Sequence, residues 1–356
     1  MLSFCSQPFG KTQEGEPVDL YSLTNRAGMQ LAITNYGGTV VSLSVPDRSG
    51  KLEDVVLGYD RLEDYERGRS FFGGTIGRYA NRIARGKFTL SGKDHVLSRN
   101  EGCNTLHGGL KGFSKRVWAA NDVSSSSAQA LELTYFSKDG EEGFPGDLSL
   151  SVTFSLPADR NELRIEYAAI TEGKDTVLNL TNHSYFNLGG AGNGKMLAHH
   201  LTLRARHFTP VDDRLIPTGE LRNVAGTPFD FTRAMPIGQR IHEDHEQLKF
   251  AKGYDHNWVL DHDHPGSLDV AAEVCDPASG RVLVIATTEP GIQFYSGNFL
   301  EETTRGKGGK FYGPHSAFCL ETQHFADSPN HPEFPSTVLK TGESYRSTTI
   351  YGLSFR

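Results

Sequence analysis

Two side chains in this sequence are of types that move protons near neutral pH. His183 lies in LNLTNHSYFNLGG, residues 178–190, and Glu321 lies in HSAFCLETQHF, residues 315–325. An imidazole and a carboxylate together suffice for general acid–base catalysis. Both sit out of phase with their apolar neighbours. Leu178 and Leu180 are even-numbered and His183 is odd, while Phe318 and Leu320 are even and Glu321 is odd. GIQFYSG repeats the pattern, with Ile292 and Phe294 even and Gln293 odd. A strand sends successive side chains to opposite faces, so each polar residue points away from the large apolar ones. Beside Glu321 the same-face neighbours, Ala317 and Cys319, are small. The pattern predicts a sheet with one face on a core and the other lining a cleft. An ordinary solvated face gives the same alternation, so parity leaves both readings open.

Further polar clusters accompany these. GRYANRIARGKF holds Asn81 with Arg78, Arg82 and Arg85 among glycines. NTLHGG sets His107 before two glycines, where backbone can come close to a ligand. GYDHNWVL joins Asp255 and His256 to Trp258, an aromatic that either stacks on a ligand ring or fills core. Taken singly, each also fits a satisfied structural polar group. DHDHPG, residues 261–266, offers metal-ligand types but not the spacing of a metal-binding helix or finger. No nucleophile elbow, P-loop or dinucleotide fingerprint is present, and the glycines of GGTIGRYANRIARG are wrongly spaced for one.

The elements that must position these residues read as strands. DLSLSVTFSL puts Leu148, Leu150, Val152, Phe154 and Leu156 on one face, and ELRIEYAAI does the same with Leu163, Ile165 and Tyr167. MQLAITNYGG alternates Leu31 and Ile33 before a glycine pair, and RVLVIATTEPGIQFYSG is a strand, a turn and a strand. The 39 glycines and 16 prolines punctuate these runs. Helical spacing is confined to RLEDYERG and to Ile237, Ile241 and Leu248 in PIGQRIHEDHEQLKFA. Many short strands with frequent turns predict an all-β fold, an antiparallel sandwich or barrel, with few short helices. No linker or internal repeat divides residues 1–356, so one domain is expected.

Composition narrows the function. The net charge of -7 and the lack of a Lys/Arg run argue against nucleic acid and anionic membrane surfaces. Cys5, Cys103, Cys275 and Cys319 are scattered without a CxxC pair, which predicts free thiols rather than a disulfide framework or zinc site. The start, MLSFCSQPFGKTQEGEP, lacks the pattern of a signal peptide, and no apolar run is long enough to span a bilayer. A cytoplasmic protein handling a neutral small molecule is the expectation.

The ordered set GRYANRIARGKF, NTLHGG, TNHSYFNLGG, YDHNWVL, EPGIQFYSGNFL and FCLETQHFADSPNHPEFPSTVLKTGESY resembles the aldose 1-epimerase, or galactose mutarotase, family. The resemblance runs from about residue 14 to the last residue of the sequence. It implies a large antiparallel β-sandwich, no cofactor and no metal, and interconversion of the α- and β-anomers of free aldohexoses such as galactose and glucose. It places the acid on His183, the base on Glu321, and sugar contacts on Asn81, Arg82, His107, Asp255 and Gln293. Arg78, beside the Asn–Arg pair, reads as structural in the family motif. Two alternatives stand beside this reading. An epimerase for a phosphorylated sugar would need a cluster of cations. A non-catalytic carbohydrate-binding or regulatory protein could share the fold.

Overall fold

Alternation in the sequence becomes alternation in burial. In the strand Asp147–Pro157 every even-numbered residue is buried and every odd one is at least partly exposed. Glu162–Glu172 follows suit with its odd residues Leu163, Ile165 and Tyr167 inward. The computed structural model describes residues 2–356 and assembles three main sheets. The largest has nine strands, in the order Ala119–Asp122, Ala128–Ser137, Asp147–Pro157, Glu162–Glu172, Ser344–Phe355, Arg281–Thr287, Asp269–Cys275, His200–Leu203 and Met235–Pro236. A six-stranded sheet runs Tyr185–Phe186, Phe318–Gln323, Gly291–Tyr295, Asp255–Val259, His207–Thr209 and Arg222–Asn223. Five strands between Ser3 and Asp54 pair in chain order. Neighbours in all three sheets are antiparallel.

The six- and nine-stranded sheets pack face to face as the expected sandwich. Trp258, Ile292, Phe294, Phe318 and Leu320, all even-numbered, share one core with Leu283, Ile285 and Tyr351 of the larger sheet. Phe186 bridges them, its ring 5.5 Å from Tyr351 and 5.9 Å from Phe318. Each such side chain contributes roughly 1.5–3 kcal/mol on burial, so the inward parity of the six-stranded sheet is strongly fixed. Its odd-numbered residues therefore face the other way. There they are covered by loops from the first third of the chain rather than by solvent.

The helical expectations hold in shortened form. RLEDYERG contains the helix Leu62–Arg67. Ile237, Ile241 and Leu248 are buried as their spacing suggests, but Ile237 lies in a 3-10 turn, Ile237–Gln239, Leu248 in a helix, Glu246–Ala251, and Ile241 in the non-helical chain between. The strand expected through LNLTNHSYF is broken. Thr181–Asn182 pairs with Thr75–Ile76, whereas Tyr185–Phe186 pairs with Phe318–Cys319. His183 is carried at the crossing between the two ladders, its N–H bonded to Gly74 O and its carbonyl accepting from Gly73 N–H, both at 2.9 Å.

Candidate active site

Four adjacent strands build the floor. Cross-strand register sets Asp255 opposite Tyr295, Tyr295 opposite Cys319 and Cys319 opposite Tyr185, and one step along it sets Gln293 opposite Glu321. All are odd-numbered and all are buried. Above them lies a cavity of about 520 Å3, lined among others by Phe71, Asn81, Arg82, His107, His183 and Glu321. That volume admits a monosaccharide with room to spare, in the range of ligand-sized clefts.

The walls come from loops that hold unusual backbone. Phe71, Asn81 and His107 all adopt positive φ, at 56°, 65° and 51°. Left-handed backbone at residues other than glycine costs free energy, and it clusters where a side chain must be aimed. Asn81 and His107 are tied reciprocally. His107 N–H donates to Asn81 O at 3.1 Å, and Asn81 N–H donates to His107 Nδ1 at 3.2 Å. The second bond decides the tautomer: Nδ1 is the acceptor, so the neutral His107 ring carries its proton on Nε2. Arg82 is held by a two-pronged pair to Glu101, with Nε–Oε2 at 2.7 Å and Nη2–Oε1 at 2.6 Å. Its third nitrogen, Nη1, lies 3.8 Å from Asp255 Oδ2.

His183 sits between aromatic rings. Tyr185 stacks on it at 5.0 Å and 15°, Phe71 lies nearly parallel at 6.0 Å, and His107 meets it edge-on at 5.0 Å. Its Nε2 is 3.7 Å from Glu321 Oε1. The other carboxylate oxygen, Glu321 Oε2, is buried with no hydrogen-bond partner. An unpaired buried oxygen is costly, and the cost is greatest when the carboxylate is charged.

The electrostatics follow from burial. His183 is drawn down to about 4, because burial disfavours the imidazolium. Glu321 is pushed well above the usual carboxylate range by burial first and then by the charge of Asp255, against the pull of Arg82. Asp255 is also raised by burial, with Arg82 and Gln293 opposing. His107 is held well below its usual value by burial, then by His183 and Arg82, so it stays neutral. Burial also works against Arg82, but Asp255 and Glu101 outweigh it and keep the guanidinium charged.

Six of the seven site residues read from the sequence line this one cavity: Asn81, Arg82, His107, His183, Asp255 and Glu321. Gln293 stands behind them, its Nε2 donating to Asp255 Oδ1 at 2.7 Å, so it orients that carboxylate. Arg78 is structural: buried, it donates to the carbonyls of Ser137, Pro145 and Gly146. Arg85 is exposed and lies outside the cavity lining. Trp258 fills core, donating from Nε1 to Phe229 O at 3.0 Å, and His256 packs among the same aromatics. The glycines after His107 make room for protein rather than ligand. A Cβ on Gly108 would overlap the Gly77 carbonyl, and one on Gly109 would overlap the Glu142 carboxylate. In DHDHPG, His262 is engaged by Asp269 and by the Glu289 carbonyl.

Sequence reasoning missed Glu101, Phe71, Tyr185 and Tyr295. Tyr185 and Tyr295 share the parity of His183 and Gln293, so the same alternation could have found them. Glu101 and Phe71 lie in loops without periodicity. Among the described residues, His107, His183 and Glu321 are the group whose ligand-type atoms come within 4.8 Å of one another. The bare nitrogen of His107 is already taken by the Asn81 N–H, which leaves an N–H donor suited to a sugar oxygen rather than a metal ligand.

A β-sandwich with a closed carboxylate–imidazole pair in a polar, aromatic-walled cleft is the arrangement of an acid–base isomerase acting on a polyhydroxylated molecule. The chain matches the aldose 1-epimerase family over residues 19–352 and belongs to it. It is 45% identical to the galactose mutarotase of Bos taurus over 328 residues, covering 92% of this chain and 91% of that one. It is 43% identical to the galactose mutarotase of Homo sapiens over 357 residues, covering 99% of each. The crystal structure of galactose 1-epimerase from Lactobacillus acidophilus NCFM superposes with a TM-score of 0.87 at 28% identity, covering 100% of this chain and 99% of that one. The protein is thus an enzyme of the isomerase class.

Proposed function

We propose that this cleft interconverts the α- and β-anomers of galactose, glucose and related free aldohexoses, with Glu321 as base and His183 as acid. The observation that carries the assignment is the facing pair at 3.7 Å, both of its members lining the cleft. Ring opening requires removal of the proton on the anomeric O1 and delivery of a proton to the ring oxygen O5. The pair shares one proton, which burial keeps on Glu321 at rest; with that proton moved to His183 Nε2, Glu321 takes the first and the His183 imidazolium gives the second, from Nε2. The open aldehyde turns about C1–C2. Glu321 then returns its proton to the carbonyl oxygen while Nε2 takes the proton from O5, and the ring closes on the other face. General acid and base contributions of about 10² to 10⁴-fold each are adequate for a reaction that already runs in water.

Arg82, Asp255 and the His107 Nε2–H supply donors and acceptors for the hydroxyls, and Tyr185, Tyr295 and Phe71 supply flat apolar surface. Asn81 supports this by fixing His107. The phosphorylated-sugar alternative needs free cations in the inner cleft. The charge of Arg82 is already balanced by Glu101 and Asp255, which leaves the exposed Arg67 and Arg69 as the uncompensated cations of the cleft lining for that role. A single domain is supported by one large core that draws its residues from Leu23 to Leu353. A cytoplasmic location is supported by four cysteines that stand free of one another. No helix among the described residues is long and apolar enough to cross a membrane.

Polarimetry of freshly dissolved α-galactose and α-glucose tests the reading. The protein should speed the approach to equilibrium rotation in proportion to its concentration. A rate equal to the spontaneous one would leave a sugar-binding protein instead.

A further inference from the structure

The acid–base cycle requires more of His183 than its position. Nε2 must give a proton to O5 and later take one back, so Nε2 alone must gain and lose it. That holds only if Nδ1 keeps its own proton throughout. In a free imidazole the neutral ring favours the other tautomer, with the proton on Nε2, and such a ring presents no lone pair to the cleft. Something must hold Nδ1–H in place.

The residue at Nδ1 is Cys319, whose Sγ lies 3.5 Å away. Cys319 and Glu321 are two apart on the strand Phe318–Gln323, so they project from the same face. One short stretch of chain thus touches both nitrogens of one ring: Sγ at Nδ1 and Oε1 at Nε2. Tyr185, stacked on the ring, lies opposite Cys319 in the ladder and prevents the imidazole from tilting away. Cys319 is fully buried, and burial raises its thiol well above the usual range, so the sulfur stays uncharged and does not compete for the proton.

We propose that Cys319 is a positioning residue whose Sγ accepts the His183 Nδ1–H and so reserves Nε2 as the single proton-carrying atom. The inference rests on His183 being the acid. A thiol is a weak acceptor. It orients the ring without stabilising the imidazolium as a carboxylate would, and therefore leaves His183 a strong acid.

Nitrogen NMR of histidine-labelled wild-type protein reads the tautomer directly. The expected result is a neutral His183 with a protonated, pyrrole-type Nδ1 and a bare Nε2. A bare Nδ1 with the proton on Nε2 overturns the proposal. Two variants add a functional readout. Cys319→Ala removes the acceptor, and its kcat should fall about three- to tenfold, the worth of one ordinary hydrogen bond, with KM within twofold. Cys319→Ser restores an acceptor and should recover kcat to within about twofold, with the wild-type tautomer. Equal losses in the folded Ser and Ala variants would assign the effect to sulfur packing and overturn the proposal, as would an Ala variant with wild-type kcat. Failure of the acid assignment itself would register separately, as retained turnover in His183→Asn.

Discussion

Replacing Glu321 by glutamine should destroy turnover and stabilise the fold at the same time. The substitution keeps shape and burial but removes the basic oxygen. Losing the base costs about 10² to 10⁴-fold in kcat, or roughly 3–5 kcal/mol of barrier. The amide adds to the loss, because its NH2 can take the place of Glu321 Oε1, 3.7 Å from His183 Nε2 in wild type, and donate to it, occupying the acid's working atom. The stability effect follows from the raised ionisation of Glu321. Above the ordinary carboxylate value the unfolded chain releases this proton while the folded chain retains it, so stability falls as pH rises through that window. The slope is at most about 1.4 kcal/mol per pH unit and ends at the folded-state pKa. Glutamine abolishes it. For a chain of this size each kcal/mol moves Tm by roughly 1–2 °C, so Glu321→Gln should melt a few degrees above wild type at pH 8 and close to it at pH 4. Polarimetry gives the first quantity and scanning calorimetry at the two pH values the second. A folded variant with kcat within tenfold of wild type would place the base elsewhere. An unchanged Tm difference between pH 4 and 8 would mean that Glu321 does not titrate abnormally.

His183→Asn should lose turnover similarly, and the double variant should be little worse than either single one, since the two act as a unit; strictly additive losses would separate them. The pH profile of kcat/KM should be a bell with unusual limbs: activity falls at low pH as the pair takes up a second proton, on His183, drawn down to about 4, which leaves Glu321 no free carboxylate to serve as base, and falls at high pH as the pair loses its last proton from the raised Glu321. A profile limited below by an ordinary carboxylate and above by an ordinary imidazole would contradict that order. Asp255→Ala and Arg82→Ala should each lower kcat/KM by about 10 to 10³-fold, and near-normal values in both would put them outside the sugar site. Activity should survive excess EDTA in full, and a loss restored by a divalent ion would refute a metal-free mechanism. Urea melts of Glu321→Gln, which lacks the opposing slope of that carboxyl, should show stability falling as pH drops below 6.5, where the unfolded chain protonates His183, His199 and His256 while burial keeps them neutral in the fold, drawn down to about 4, 4 and 3; each adds at most about 1.4 kcal/mol per pH unit, and a flat profile between pH 6.5 and 4.5 would show that they are not buried neutral.

The strands were legible because their faces differ. Leu148 to Leu156 and Leu163 to Tyr167 are separated by partly exposed residues, and that contrast is what a sequence records. The inner strands of the six-stranded sheet were legible for another reason: both faces are buried, but one carries Ile292, Phe294, Phe318 and Leu320 and the other Gln293 and Glu321. Chemistry, not exposure, distinguishes them. The loops that complete the site leave no such trace. Glu101 meets Arg82 through the short ladder of Arg82–Ile83 with Thr105–Leu106, and nothing local to residue 101 announces it. The break at His183 was hidden too, because the pairing partners of residues 181–186 lie more than a hundred residues away on either side. Trp258 and the glycines after His107 could not be decided from sequence, because a residue type suited to ligands is equally suited to packing.

The strand Ser344–Phe355 occupies the middle of the nine-stranded sheet, between Glu162–Glu172 and Arg281–Thr287. During synthesis the edge of Glu162–Glu172 therefore has no partner until roughly 170 further residues have been made, which takes about 10–35 s at ordinary elongation rates. For that interval an eleven-residue strand with one apolar face offers its open hydrogen-bonding groups to any other chain within reach. The closing strand also carries Tyr351, whose ring backs Phe186 beneath the catalytic strand. The nascent protein thus passes through a long period in which most of its sequence exists, its sandwich is unsealed, and it is both inactive and prone to pair with neighbours. Its yield in a cell should depend on chaperones that shield strand edges more than its modest surface charge would suggest.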